Sequence, residues 1–428
     1  MHFLPFLRRP VRAARTWLAL GAAVLAVPAA QAVPSYARQT GMDCAGCHVG
    51  AYGPQLTPAG IRFKLGGYTD TDGKDGKVPL SGMLVGDFSH TSKAQDPPPD
   101  HLKGNDNATL DEASLFIAGR AGDHVGAFVQ LTYDGVEHKF GLDNTDIRFA
   151  TTTELAGKEA IFGVSLNNNP SVQDPFNTLP GWGYPFVGPA AGFGTGDAAT
   201  LINDGLGGIV VGLNAYAVWD KQWYAELGSY KSMSPSTQDS LGLGRDQQKL
   251  EGNAYWRLAW MNDMKASAWH LGVFGWTARL EPDRTAPGPV DSYRDIGVDG
   301  SWQYLGTREH VFTVFGSVTS ELLHSGADDS RSRLTEERLN ATYNYRQTWG
   351  ASGCLFSTHG TDPEATTRGL VLQADWTPWG KEDASAPSPF QWANIKLGAQ
   401  FWHYGTFGGT RDGASDHDTF SLFAWSTF

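Results

Sequence analysis

The sequence predicts an all-β protein: an outer-membrane antiparallel β-barrel of about sixteen strands, preceded by a small α-helical segment that plugs the lumen. Three observations predict it. Apolar and polar residues alternate with period two in segment after segment from residue 81 to the end, which is the pattern of strands with one apolar and one polar face. The average hydropathy is slightly polar although 15 Trp, 14 Tyr and 22 Phe are present, as expected where only every second residue meets lipid. Beyond the N-terminal leader, no stretch of eighteen consecutive apolar residues exists to form a membrane helix.

The chain begins with Arg8, Arg9, Arg12 and Arg15, an apolar run from Trp17 to Val27, and Ala30-Gln31-Ala32, a small-residue cleavage site. Residues 1–32 therefore read as a secretory signal peptide, the run being too short for a retained membrane anchor. Without those four arginines the formal net charge falls from −12 to −16. This acidity argues against nucleic acid as a partner and suits a surface or channel that attracts cations.

Residues 33–77 form the second unit. Cys44-Ala45-Gly46-Cys47-His48 has the C-x-x-C-H spacing that attaches haem c: two thiols add to the vinyl groups on one porphyrin edge, and the adjacent histidine reaches the iron as axial ligand. A zinc site would need two more ligands at short spacing and a thioredoxin-like pair a βαβ context; neither surrounds it. One covalent haem c on Cys44, Cys47 and His48 is the expectation. For the sixth iron position the candidates are Met83 and, second, His90, both on the first strand, or an open or water-ligated site; Met42 lies too near Cys44 in sequence to cross to the other face. Cys354, in a later strand, is expected to be an inert small apolar residue. Thr57, Pro58 and Gly66 are an N-cap, a first helical residue and a stop. Ile61, Phe63 and Leu65 on this helix are expected to cover the haem, and Arg62 or Lys64 to pair with a propionate unless they are solvated charges.

Residues 78–428 form the barrel. The predicted strands span 81–90, 110–120, 126–134, 140–150, 159–168, 207–218, 222–231, 250–261, 266–276, 293–304, 310–321, 334–346, 350–358, 368–376, 393–404 and 418–428. In the tenth, for example, Ile296, Val298, Trp302 and Tyr304 alternate with Asp295, Asp299, Ser301 and Gln303. Trp219, Trp223, Trp260, Trp269, Trp276, Trp376 and Trp402 lie near strand ends and suit interfacial girdles; the last strand closes on Phe428. Connections after odd strands are mostly long and those after even strands mostly short, with 135–139 and 377–392 as exceptions. Long loops then face outside, and the first strand rises from the periplasm with the haem segment on that side. The longest connection, 169–206, carries Trp182, Tyr184 and Phe186 and either folds inward or covers the surface. Asp143, Asp146, Asp295, Asp299 and Asp375 are expected on the lumen face, favouring divalent cations over anions.

About thirty residues carry a resemblance. Ala37-Arg38-Gln39-Thr40-Gly41, the C-x-x-C-H motif, and Leu56-Thr57-Pro58 through Gly60, Phe63-Lys64-Leu65 and Gly67-Tyr68 resemble the fused monohaem cytochrome c–porins of iron-oxidising bacteria. The resemblance implies transfer of single electrons from an extracellular donor such as Fe(II) to a periplasmic c-type cytochrome or other redox carrier. The corresponding enzyme class is an Fe(II):cytochrome c oxidoreductase in the outer-membrane lipid. The rivals are a diffusion porin whose haem is a structural or gas-sensing plug, and a haem peroxidase. No nucleophilic triad or phosphate-cradling loop supports other chemistry.

Overall fold

The computed structural model describes residues 34–380 and 393–428; the signal peptide expected over 1–32 and part of the connection 377–392 lie outside them. Sixteen strands close into one antiparallel barrel in which each pairs with its sequence neighbours and the last pairs with the first. They are β1 (Leu80–Thr91), β2 (Asn107–Arg120), β3 (Val125–Asp134), β4 (Lys139–Leu155), β5 (Lys158–Asn167), β6 (Val210–Trp219), β7 (Trp223–Ser232) and β8 (Lys249–Asp263). Then follow β9 (Ser267–Glu281), β10 (Asp291–Tyr304), β11 (His310–His324), β12 (Arg331–Tyr345), β13 (Trp349–Gly360), β14 (Thr367–Trp376), β15 (Asn394–Thr406) and β16 (Thr419–Thr427). Every predicted strand is present, most extended by a few residues at one or both ends. Closure satisfies the backbone groups that an open edge would leave to lipid; Gly82 and Phe428 exchange both backbone hydrogen bonds at the seam.

The alternation sorts the side chains as predicted. Along β10, Ile296, Val298, Trp302 and Tyr304 face outward while Asp295, Asp299 and Gln303 are buried toward the lumen. Among the described residues no helix is long and apolar enough to cross a membrane; the apolar belt is on the strands. An outward aromatic band follows the short turns: Trp223 stacks on Trp260 at 5.9 Å, Trp260 meets Trp269 edge-on at 4.1 Å, and Trp349 stacks on Trp376 at 5.7 Å. Two predicted girdle members do not belong to it. Trp276 and Trp402 are buried on the lumen side, because their parity along β9 and β15 is that of the inward face.

Two segments fill the lumen. One is 34–77, with helices Pro34–Thr40 and Pro58–Leu65. It is tied to strands around the whole circumference: Tyr36 Oη donates to the Ala127 carbonyl on β3, Tyr52 Oη to Trp425 on β16, Gln55 Nε2 to Thr313 on β11, and Tyr68 Oη to Asp146 on β4. The plug expected from its small size is thus present. The other is the connection between β5 and β6, which takes the inward course. Asn168, Val172, Phe176 and Leu179 are buried, and the turn from Thr200 is held by three lumen carboxylates: Glu336 accepts from Thr200 N (2.9 Å), Glu321 from Leu201 N (2.6 Å) and Asp295 from Ile202 N (2.9 Å).

Candidate functional site

The plug and the inturned connection meet at a cavity of about 300 Å³ toward the short-turn end of the barrel. Its plug wall carries Cys44, Cys47 and His48; its strand wall carries Met83, Val85 and Phe116; its roof carries Trp182 and Phe186 from the β5–β6 connection. The local backbone explains the first wall. Thr57 N donates to the Cys47 carbonyl (2.9 Å), its hydroxyl donates to the Gly46 carbonyl (2.6 Å), and the same oxygen caps the helix by accepting from Gly60 N. The helix therefore starts against the motif. A Cβ at Gly60 would lie 2.5 Å from the Cys47 oxygen, so only glycine allows this approach.

Cys44 and Cys47 are not joined in a disulfide and are half-buried at the cavity wall, in contrast to Cys354, buried in β13. Burial pushes the His48 imidazole down to about 4, with the Gly53 main chain opposing only in part, so the ring is neutral, the form that ligates iron. Its Nδ1 is buried and closes no hydrogen bond of normal geometry. Two thiols and one neutral imidazole on a single wall, facing an apolar strand wall, fit a covalently attached haem.

Of the two candidates for the opposite coordination position, the structure brings only Met83 to the cavity. Met83 and Leu84 fall on opposite faces of β1: Met83 is buried inward and Leu84 is exposed. His90 has the outward parity and pairs with Asp106 at 2.8 Å, away from the site. The helix also differs from expectation. Phe63 lines the cavity, forming an aromatic group with Tyr36 (4.9 Å) and Tyr68 (5.8 Å), whereas Ile61 and Leu65 pack on Phe176 and Tyr216 on another face. Arg62 points out to Asp263 (2.9 Å). The Lys64 ammonium touches the cavity but donates to Val172 O, Asp174 O and Asn177 Oδ1 at 2.6–2.9 Å; burial lowers it from 10.5 to about 7. Neither side chain stands free for a propionate.

Several cavity residues were invisible to motif reading: Tyr36, Glu112, Phe128, Gln130, Asn144 and Val187. The aromatic density of 169–206 was the available signal for Trp182 and Phe186. The lumen acids face inward as expected, but most are engaged. Asp146 binds Arg148 (2.8 Å), Asp299 binds Arg257 (2.6 Å) and His270 (3.0 Å), Asp375 approaches Lys396 (3.6 Å), and Asp295 caps Ile202. The expected cation-selective lining is therefore reduced to the acids that lack a basic partner, of which Asp143 is one.

No protein-family profile and no characterised protein sequence matches the chain. Among solved structures it resembles a loop-deletion mutant of the outer-membrane protein OmpT of Vibrio cholerae (9% identity, 82% of this chain and 97% of that one, TM-score 0.44). It also resembles an anion-selective porin from Comamonas acidovorans (10%, 81% and 98%, 0.44) and the outer-membrane channel DcaP of Acinetobacter baumannii (11%, 82% and 97%, 0.47). At these values the likeness says nothing of cargo or selectivity; the barrel assignment rests on strand pairing and the apolar belt.

Proposed function

We propose that this chain is an outer-membrane electron-transfer protein that moves single electrons between an extracellular donor, Fe(II), and a periplasmic c-type cytochrome or other carrier. One observation carries the reading: two cysteines and a neutral imidazole, within five consecutive residues, line one wall of a cavity inside a membrane-type barrel. The short-turn end, where the plug enters β1, is the periplasmic end on the loop-length rule. A bound haem c would supply a one-electron couple. Cys44 and Cys47 would tether it, His48 would offer its unprotonated ring nitrogen, and Met83 would offer a thioether from the strand wall. Tyr36, Phe63 and Tyr68 pack its apolar surroundings. The β5–β6 connection shields the long-loop side, where donors would arrive, and limits water.

Stopped-flow absorption on purified, detergent-solubilised protein tests the reading. Fe(II) is expected to reduce the haem, and a periplasmic-type cytochrome c to reoxidise it. Absence of a pyridine haemochrome would remove the proposal outright. A haem that Fe(II) does not reduce, but that binds CO, would favour the gas-sensing plug. Replacing Met83 by Leu is expected to alter the oxidised-state spectrum if the thioether ligates.

A further inference from the structure

Apart from Asp146, which binds Arg148, the inward face of β1–β4 carries four carboxylates, Asp87, Asp111, Glu112 and Asp143, and among the described residues none of these four forms an ion pair with Lys, Arg or His. Two register irregularities put them there. Val85 pairs with Glu112 but Gly86 with Leu110, so Asp111 is an extra residue and both neighbouring acids turn toward the lumen. Between β3 and β4, Val129 pairs with Thr145 but Leu131 with Leu142, and this second bulge brings Asp143 and Asn144 together to the cavity. Bulges that re-aim side chains are characteristic of functional sites.

Asp87 and Asp111 lie side by side, hydrogen-bonded to each other and both to one hydroxyl. Thr109 Oγ1 is 2.9 Å from Asp87 Oδ1 and also contacts Asp111 Oδ1, yet a hydroxyl has a single hydrogen and cannot serve two ionised carboxylates. The other oxygen of each, Oδ2, is also buried. The Ser89 hydroxyl, two residues further along the same face of β1 and 2% exposed, is likewise buried and unbonded, as is that of Ser421, its cross-strand partner on β16. The backbone of Ala190, in the inturned connection, also comes to Asp111. Carboxyl and hydroxyl oxygens of this kind are the donor types that a hard divalent cation takes.

We propose that Asp87 and Asp111, with the hydroxyls of Ser89 and Thr109, form an oxygen-donor site for a small divalent cation at the head of a carboxylate column leading through Glu112 and Asp143 to the cavity. Asp87 lies four residues from Met83 toward the long-loop end, about 13 Å at the rise of a strand. Two carboxylates match a divalent charge without caging it, as a station on a path requires. That the cation is Fe(II) awaiting oxidation rests on the function proposed above; the site itself does not.

The test is titration of the full-length, haem-bearing protein in detergent with Mn(II), read by electron paramagnetic resonance of the free ion. One bound ion per chain is expected, weakened more than about tenfold by Asp87→Asn and by Asp111→Asn, the least that a lost ligand should cost. Asp106→Asn, an exposed acid outside the lumen, should change nothing. Ser89→Ala removes a hydroxyl that bonds nothing, so it should assemble even if an Asp variant does not, and it too should weaken binding. Absence of Mn(II) binding, or affinity unchanged in assembled variants, overturns the site, as does an infrared protonated-carboxyl band, lost in Asp87→Asn, that persists in saturating Mn(II). Binding that behaves as expected, with a haem that Fe(II) fails to reduce, leaves the site standing and removes the electron-transfer reading. Haem reduction without Mn(II) binding does the reverse.

Discussion

The wall formed by β1–β3 with the start of β4 and the wall formed by β8–β12 are built from the same alternating strands and line the same lumen, yet their acids find different partners. On β8–β12, Asp299 is clasped by Arg257 and His270, and Asp295, Glu321 and Glu336 receive the backbone N–H groups of the inturned connection. On β1–β4, Glu112 and Asp143 meet only neutral donors such as Gln130 and Thr132, and Asp87 and Asp111 share one hydroxyl. A buried carboxylate that holds a cation or a backbone N–H of the inturned connection fastens the fold; one that meets chiefly side-chain hydroxyls and amides is open to a cation from outside. The haem-type motif sits against the second kind of wall.

The comparison predicts a double dissociation. Replacing Cys44 and Cys47 by Ser together should abolish covalent haem, seen as loss of haem staining in denaturing gels, while the barrel still assembles, seen as a heat-dependent gel mobility. Arg257→Ala should do the opposite. It strands Asp299 and Asp174 without their cation in a fully buried setting, which costs about 3–5 kcal/mol, read as a lowered urea midpoint with haem still attached. Asp143→Asn on the other wall should change the stability by no more than about 0.5 kcal/mol; an effect as large as that of Arg257→Ala would erase the distinction between the walls.

Smaller changes probe the seam between them. Glu336→Ala leaves the Thr200 N–H, the Thr200 hydroxyl and Asn203 Nδ2 without their acceptor, a loss of about 1–3 kcal/mol. The inturned connection should loosen and single-channel conductance in planar bilayers should rise; unchanged conductance would show that the connection is held elsewhere. A last effect, seen only as a dependence on pH, belongs to Lys64. Its folded value, about 7, lies below the unfolded 10.5, so between these limits the unfolded chain holds a proton that the folded chain has shed. Stability should therefore rise from pH 7 toward 10.5 and show no dependence on this group below 7. Lys64→Met should flatten that rise.

Much of this molecule was legible in the residue order. Alternation located all sixteen strands, and Thr57, Pro58 and Gly66 bounded the plug helix as observed. Cys44, Cys47 and His48 were readable because they stand within five consecutive residues. The errors share a cause. Trp276 and Trp402 were placed by nearness to a strand end, when parity decides the face. Ile61 and Leu65 were grouped with Phe63 for being apolar, although successive odd positions on a helix point about 200° apart. The lumen acids were counted as a cation lining before their partners were known.

Neighbours along the chain set which stretches are strands, where the helix is capped, and where two thiols and an imidazole stand together. Folding in three dimensions set which acids meet a cation and which do not, turned 168–209 into the lumen, and brought Met83 rather than His90 to the cavity. The physical reason is that pairing across a lumen joins residues a hundred or more positions apart. A single extra residue in one strand, as at Asp111, reverses which side chains meet, and no local pattern records either.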